Sequence, residues 1–159
     1  MIKPCFYKIG DLGITNIPKC GSQTVEGVSD GLLDSQYGDK INNLIAFIRD
    51  PFERLKSLYR FINEYPGKII KHPIPTWDLF VEWVLTTDDY HVLPQSDFLI
   101  GGEIIYPLSK MDEVLLDLIG KIPERKHQTN RIVLDTNYRQ CDLKQKYKSD
   151  IDLWQQITL

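Results

Sequence analysis

Cysteine is scarce in this chain: Cys5, Cys20 and Cys141 are odd in number and share no Cys-x-x-Cys spacing. That pattern excludes a disulfide framework and offers no zinc site. Histidine is as scarce, with only His72, His91 and His127. No apolar run approaches the roughly 20 residues of a membrane helix, and the start, MIKPCFYKIGD, lacks the apolar core of a secretion signal. Internal repeats, low-complexity tracts and metal-ligand clusters are missing too, as is the GxxxxGKS/T loop of nucleotide triphosphatases. Together these absences predict reduced thiols, no membrane span, no metal and a cytoplasmic location.

What is present fits one domain over residues 1–159, since the chain is too short for two independent cores. Apolar residues make up 42% and charged residues 26%, both ordinary for a globular fold. A net charge of −3 argues against a nucleic-acid partner. The charges are nevertheless segregated. Residues 49–72 carry six Lys/Arg against three Asp/Glu and residues 121–148 eight against three, while residues 73–120 carry one against nine. Solvated helix faces explain such a pattern; so does a polyanionic ligand met by both basic stretches.

Periodicity divides the chain into strands and helices. LGITNI at 12–17 is β-prone and runs into the breaker Pro18–Gly21, after which Val25, Val28, Leu32 and Leu33 predict a helix from about Ser22 or Thr24 to Leu33. Gly27 and Gly31 weaken that helix. The unalternated run LIAFI at 44–48 predicts a strand buried on both faces. Asp50 and Pro51 then supply an N-cap and a first-turn proline, followed by Phe52, Leu55, Leu58, Tyr59 and Ile62 at helical spacing. A proline-rich loop at 66–75 precedes a helix over Trp77–Leu85. Further along come an irregular stretch at 86–97, a strand at 104–106, a helix at 110–119, a short strand at 132–134 and one closing helix over 142–156. Strands alternating with helices predict an α/β domain of three layers, a parallel sheet with helices on both faces, whose ligands sit at the carboxyl ends of strands.

Two motifs lie at such ends. In IPKCGSQTV at 17–25, a glycine turn entering a helix can aim backbone N–H groups at an anion, and Lys19 adds a positive charge. An ordinary strand-to-helix turn has the same outline. In AFIRDPFERLKSLYRF at 46–61, Arg49 leaves a buried strand and Ser57 sits about two turns into the next helix, so a fork donor and a hydroxyl can share one phosphate. Pairing of Arg49 with a carboxylate, with Ser57 facing solvent, is the plainer reading of those two residues.

Strand–PKxGSxT–helix followed by strand–RDPFERLxSxYR–helix resembles the sulfotransferases, in particular the Golgi carbohydrate sulfotransferases and their bacterial and viral relatives. The resemblance implies the P-loop nucleotide-hydrolase-like sulfotransferase fold. It also implies 3′-phosphoadenosine-5′-phosphosulfate (PAPS) as donor, adenosine 3′,5′-bisphosphate as product and a carbohydrate acceptor. By the same resemblance Pro18, Lys19, Cys20, Gly21, Ser22, Gln23 and Thr24 hold the 5′-phosphosulfate, and Arg49 and Ser57 hold the 3′-phosphate. Gln23 departs from the threonine or serine common there. DYHVLPQSDFL at 89–99 is similar to the family's His-x-x-Pro-Gln segment, and KHQTN at 126–130 to a later basic loop, adding His127 and Asn130 as cofactor contacts.

Sulfuryl transfer builds charge on a leaving oxygen, which Lys19 can stabilise, and removes a proton from the acceptor, which a histidine can take. His91 is the candidate base, with Glu53, Glu64 and Asp97 as substitutes. Tyr90 and Gln95 are candidates for acceptor binding, and Trp77, Trp83 and Trp154 are expected in the core. Two other readings stand beside this one: an ATP-dependent kinase-like enzyme, and a non-catalytic nucleotide-binding domain of the same fold.

Overall fold

The computed structural model describes residues 3–34, 41, 43–124 and 134–159. Strands β1 (Cys5–Ile9) and β2 (Leu12–Thr15) form a hairpin whose turn is Gly10–Asp11, with Ile9 opposite Leu12. Gly10 adopts φ 58°, the left-handed backbone that such two-residue turns require. Helix α1 (Ser22–Glu26) is short, and β3 (Gly31–Asp34) then pairs antiparallel with β1. Strand β4 (Asn43–Ile48) runs parallel to β2, and β5 (Ile104–Pro107) parallel to β4. The sheet order is β3-β1-β2-β4-β5.

The sheet is therefore mixed, where a wholly parallel one was expected. Its parallel half, β2-β4-β5, follows the expected pattern, and β1 and β3 add an antiparallel half. The expected helix to Leu33 stops at Glu26, because Gly27 and Gly31 weaken it and Leu32 and Leu33 find sheet partners in Tyr7 and Phe6.

Helices cover both faces. Ile45 and Phe47 of β4 pack with Val25 of α1 and with Met111 and Leu115 of α4 (Met111–Ile119). Ala46 and Ile48 alternate to the other face, against Phe98 and against Leu153, Trp154 and Ile157 of α6 (Lys148–Thr158). Helix α2 (Pro51–Glu64) starts as expected: Asp50 accepts from the N–H groups of Phe52 and Glu53 at 2.9 Å each, and Pro51 opens the first turn. Its apolar side, Leu55, Leu58, Tyr59 and Ile62, packs with α3 (Trp77–Thr86) and with Leu143 of α5 (Gln140–Lys146). Burying each of these aliphatic side chains contributes about 1.5–3 kcal/mol.

The single closing helix expected over 142–156 is two helices, α5 and α6, divided at Tyr147. Tyr147 is 1% exposed and its hydroxyl donates to the carbonyl of Val92. The stretch expected to be irregular at 86–97 holds one short 3₁₀ turn, Tyr90–Val92, and the start of a second, Gln95–Phe98. The expected strand at 132–134 lies almost wholly outside the described residues. Among the described residues, no helix is long and apolar enough to cross a membrane.

Candidate functional site

The loop between β2 and α1 has an unusual backbone. Lys19 adopts φ 64°, a left-handed conformation that costs a non-glycine residue about 1–2 kcal/mol. Gly21, at φ 83°, caps α1. A Cβ there would lie 2.3 Å from Met111 Cε, so the position admits only glycine unless Met111 moves. The N–H groups of Thr24 and Val25 bond to the Gly21 carbonyl at 2.9 and 3.1 Å. Those of Ser22 and Gln23 precede the first intrahelical bond, and no side chain caps the helix.

The neighbouring parallel strand delivers the second motif. Arg49 follows β4 directly, and the Gln95 side chain grips its backbone, accepting from Arg49 N–H at 2.9 Å and donating to Arg49 C=O at 2.8 Å. Behind it, Glu53, Ser57 and Arg60 recur at helical spacing on the side of α2 opposite its apolar face. Loop and helix face meet in one cavity of about 780 Å³. It is lined by Pro18, Lys19, Gly21, Ser22, Gln23, Thr24, Arg49, Ser57, Tyr90 and His91, ten of the residues expected at the site. Arg60, Tyr7, Asn16 and Trp154 also line it, although the sequence reading assigned them no site role and placed Trp154 in the core. Helical spacing from Ser57 would have found Arg60; nothing local marks Tyr7, which arrives on the unanticipated β1.

Cys20 and Gln95 depart from expectation. Neither lines the cavity. The Cys20 thiol is 5% exposed and donates to Gln95 Oε1 at 2.9 Å, and burial pushes it up to about 11, so it packs beneath the loop as a neutral thiol. Gln95 is 0% exposed, its side chain spent on Arg49 and Cys20. It is a brace for the Arg49 backbone, and an acceptor cannot reach it. His127 and Asn130 lie outside the described residues.

The segment carrying His91 is held along its backbone. Arg54, 1% exposed, donates from Nε to Pro18 C=O at 2.9 Å, from Nη1 to Leu93 C=O at 2.9 Å and from Nη2 to His91 C=O at 3.1 Å. Asp150, 0% exposed, accepts from the N–H groups of Gln95 and Ser96 at 2.7 and 2.9 Å. His91 thus stands over the cavity on a segment fixed from both ends. Of the substitute bases, Glu53 is held below the usual carboxylate range by its hydrogen bond from Lys56, at 2.7 Å. Asp97 is raised by burial and by Asp150, but it does not line the cavity, and neither does Glu64.

Lys19 is the electrostatic centre. Its Nζ sits 3.9 Å from the centroid of the Phe61 ring. Burial lowers its proton affinity to about 8, with the Arg49 charge acting in the same direction and Glu64 against it. An anion between Lys19 and Arg49 relieves both causes. Tyr90 is pushed up to about 12, chiefly by burial, and stays a neutral phenol. Among the described residues, no group of three or more His, Cys, Asp or Glu is placed to hold a metal ion. No protein-family model, curated protein or solved structure matches the chain.

Two predictions follow from these contacts. Arg54→Met leaves three carbonyls without their donor and should cost about 3–5 kcal/mol in urea unfolding; a loss under about 1 kcal/mol would mean that other groups satisfy them. Lys19→Met removes a cation that the fold disfavours, so the ligand-free variant should exceed the wild type by about 1–3 kcal/mol at pH 7. Between pH 8 and 10.5 the folded wild type binds fewer protons at Lys19 than the unfolded chain, so its relative stability rises and the gap should close across that window. A gap independent of pH would refute the burial of the charge.

Proposed function

We propose that this chain is a sulfotransferase that moves a sulfonate from PAPS to an acceptor hydroxyl, with carbohydrate as the acceptor class. One observation carries the reading: the loop 18–24 and the pair Arg49 and Ser57 open onto a single cavity that His91 also lines. The sulfotransferase form of the P-loop nucleotide-hydrolase-like fold belongs to the same proposal. Its support is that both motifs follow neighbouring parallel strands, β2 and β4, at their carboxyl ends. The three cysteines are free thiols, which supports a reducing compartment and hence the cytoplasm.

The donor set suits a nucleotide with phosphate at two positions. A cavity of about 780 Å³ is large enough for one. Lys19 with the N–H groups of Ser22 and Gln23 would hold the 5′-phosphosulfate, Arg49 and Ser57 the 3′-phosphate, and Arg60 adds positive potential on the same helix face. The donor substrate supplies an activated sulfonate on a phosphate oxygen.

Lys19 stabilises the negative charge that grows on that oxygen as its bond to sulfur breaks. His91 takes the proton of the acceptor hydroxyl as the acceptor oxygen bonds to sulfur, and adenosine 3′,5′-bisphosphate leaves. Tyr90, beside His91 with ring centroids 5.5 Å apart, gives the acceptor end an aromatic wall with one hydroxyl.

Thermal unfolding tests the reading. Adenosine 3′,5′-bisphosphate should raise the melting temperature, because a ligand of the native state stabilises it by mass action, whereas ATP with magnesium should not. Equal shifts would favour the kinase-like alternative, and no shift with the bisphosphate would remove the sulfotransferase reading.

A further inference from the structure

We infer that Asp89 is a positioning residue for the base: it fixes the tautomer of His91 so that Nε2 is the proton-accepting nitrogen. The inference rests on the sulfotransferase reading for the reaction, and on geometry alone for the tautomer. Asp89 Oδ1 lies 2.9 Å from His91 Nδ1 and accepts from the His91 backbone N–H, also at 2.9 Å. One carboxylate oxygen thus holds residue and ring together. Because that oxygen only accepts, Nδ1 must carry a proton, and in the neutral ring the lone pair falls on Nε2. Nε2 has no hydrogen-bond partner among the described residues, and His91 lines the cavity.

The ring is also aimed by its neighbours. Arg54 holds the His91 carbonyl at 3.1 Å, and Tyr90 meets the imidazole edge to face, with the planes at 90°. The charged and titratable groups facing the dyad are Asp89 and Tyr90 on its own segment and Arg54 from α2. Lys19, Arg49, Asp50, Glu53, Arg60 and Tyr7 line the shared cavity. At 29% and 33% side-chain exposure, Asp89 and His91 are partly open to solvent, so the proton taken up has a route out. A plain helix cap would need only the backbone bond; the second bond, to the ring, is the feature a cap does not require.

The test separates cap from positioner. Asp89→Ser keeps an oxygen that can cap the backbone N–H but is too short to reach the ring, so the imidazole returns to its own preference for a proton on Nε2. Long-range ¹H–¹⁵N NMR of the full chain should report Nδ1–H in the wild type and in Asp89→Glu, and a shift toward Nε2–H in Asp89→Ser. With PAPS as donor and water as acceptor, release of adenosine 3′,5′-bisphosphate should fall on the order of 10²-fold in Asp89→Ser, with affinity for the bisphosphate unchanged. Asp89→Glu should recover most of it. A wild-type ring protonated on Nε2 would overturn the inference, as would an Asp89→Ser protein with unaltered tautomer and turnover. Wild-type protein that fails to bind the bisphosphate defeats the sulfotransferase reading instead, and the NMR result still decides the tautomer.

Discussion

The Arg54 guanidinium, buried beneath the cavity, holds the carbonyls of Pro18, His91 and Leu93 and so joins the loop before α1 to the segment bearing His91. A charge this deep costs several kcal/mol unless its donors are met, and here all three directions of the fork end on oxygen. Asp150 is the counterpart of opposite sign, equally buried and bonded to the N–H groups of Gln95 and Ser96. Between them the two charges hold successive parts of the 91–96 segment. Gln95 then passes the constraint to Arg49, and the Cys20 thiol to the loop. Cavity-lining groups on three separate stretches of chain are therefore placed by groups that never reach the cavity.

The cavity gathers several unfavourable features at one residue. Lys19 combines a left-handed backbone, burial and a neighbouring cation, each unfavourable without a ligand. An anion relieves the last two together, so stability given up by the empty protein returns on binding. Perturbed proton affinity at a lysine in a cleft is the expected mark of a functional site. The polar face of α2 adds Arg60, while its apolar face, locked against α3 and α5, keeps the helix from turning.

Legibility in the sequence followed the range of the forces involved. Helix α2 was readable because Asp50, Pro51 and the spacing of Leu55, Leu58 and Ile62 all act within the helix itself. Residues 31–34 were misread, since Leu32 and Leu33 suit either periodicity and only their pairing with Tyr7 and Phe6 decides for strand. Strand β1 went unread for the same reason, and with it the antiparallel half of the sheet and the cavity residue Tyr7. Gln95 was a candidate for acceptor binding; its burial depends on Arg49 and Cys20, 46 and 75 residues away in sequence. Arg54 sat in a recognised motif, yet its role needs the path of the 91–93 segment. The break at Tyr147 likewise accompanies a contact with Val92 across the fold.

The central claim is that Arg49 reads a phosphate on the 3′ position of a nucleotide bound in this cavity. Titration calorimetry on wild type and Arg49→Ala, each with adenosine 3′,5′-bisphosphate and with adenosine 5′-monophosphate, tests it most directly. The account predicts that Arg49→Ala weakens the bisphosphate by roughly 2–4 kcal/mol and the monophosphate much less. Equal losses for both ligands would contradict it, and would leave Arg49 as a support for the loop that reads no 3′-phosphate.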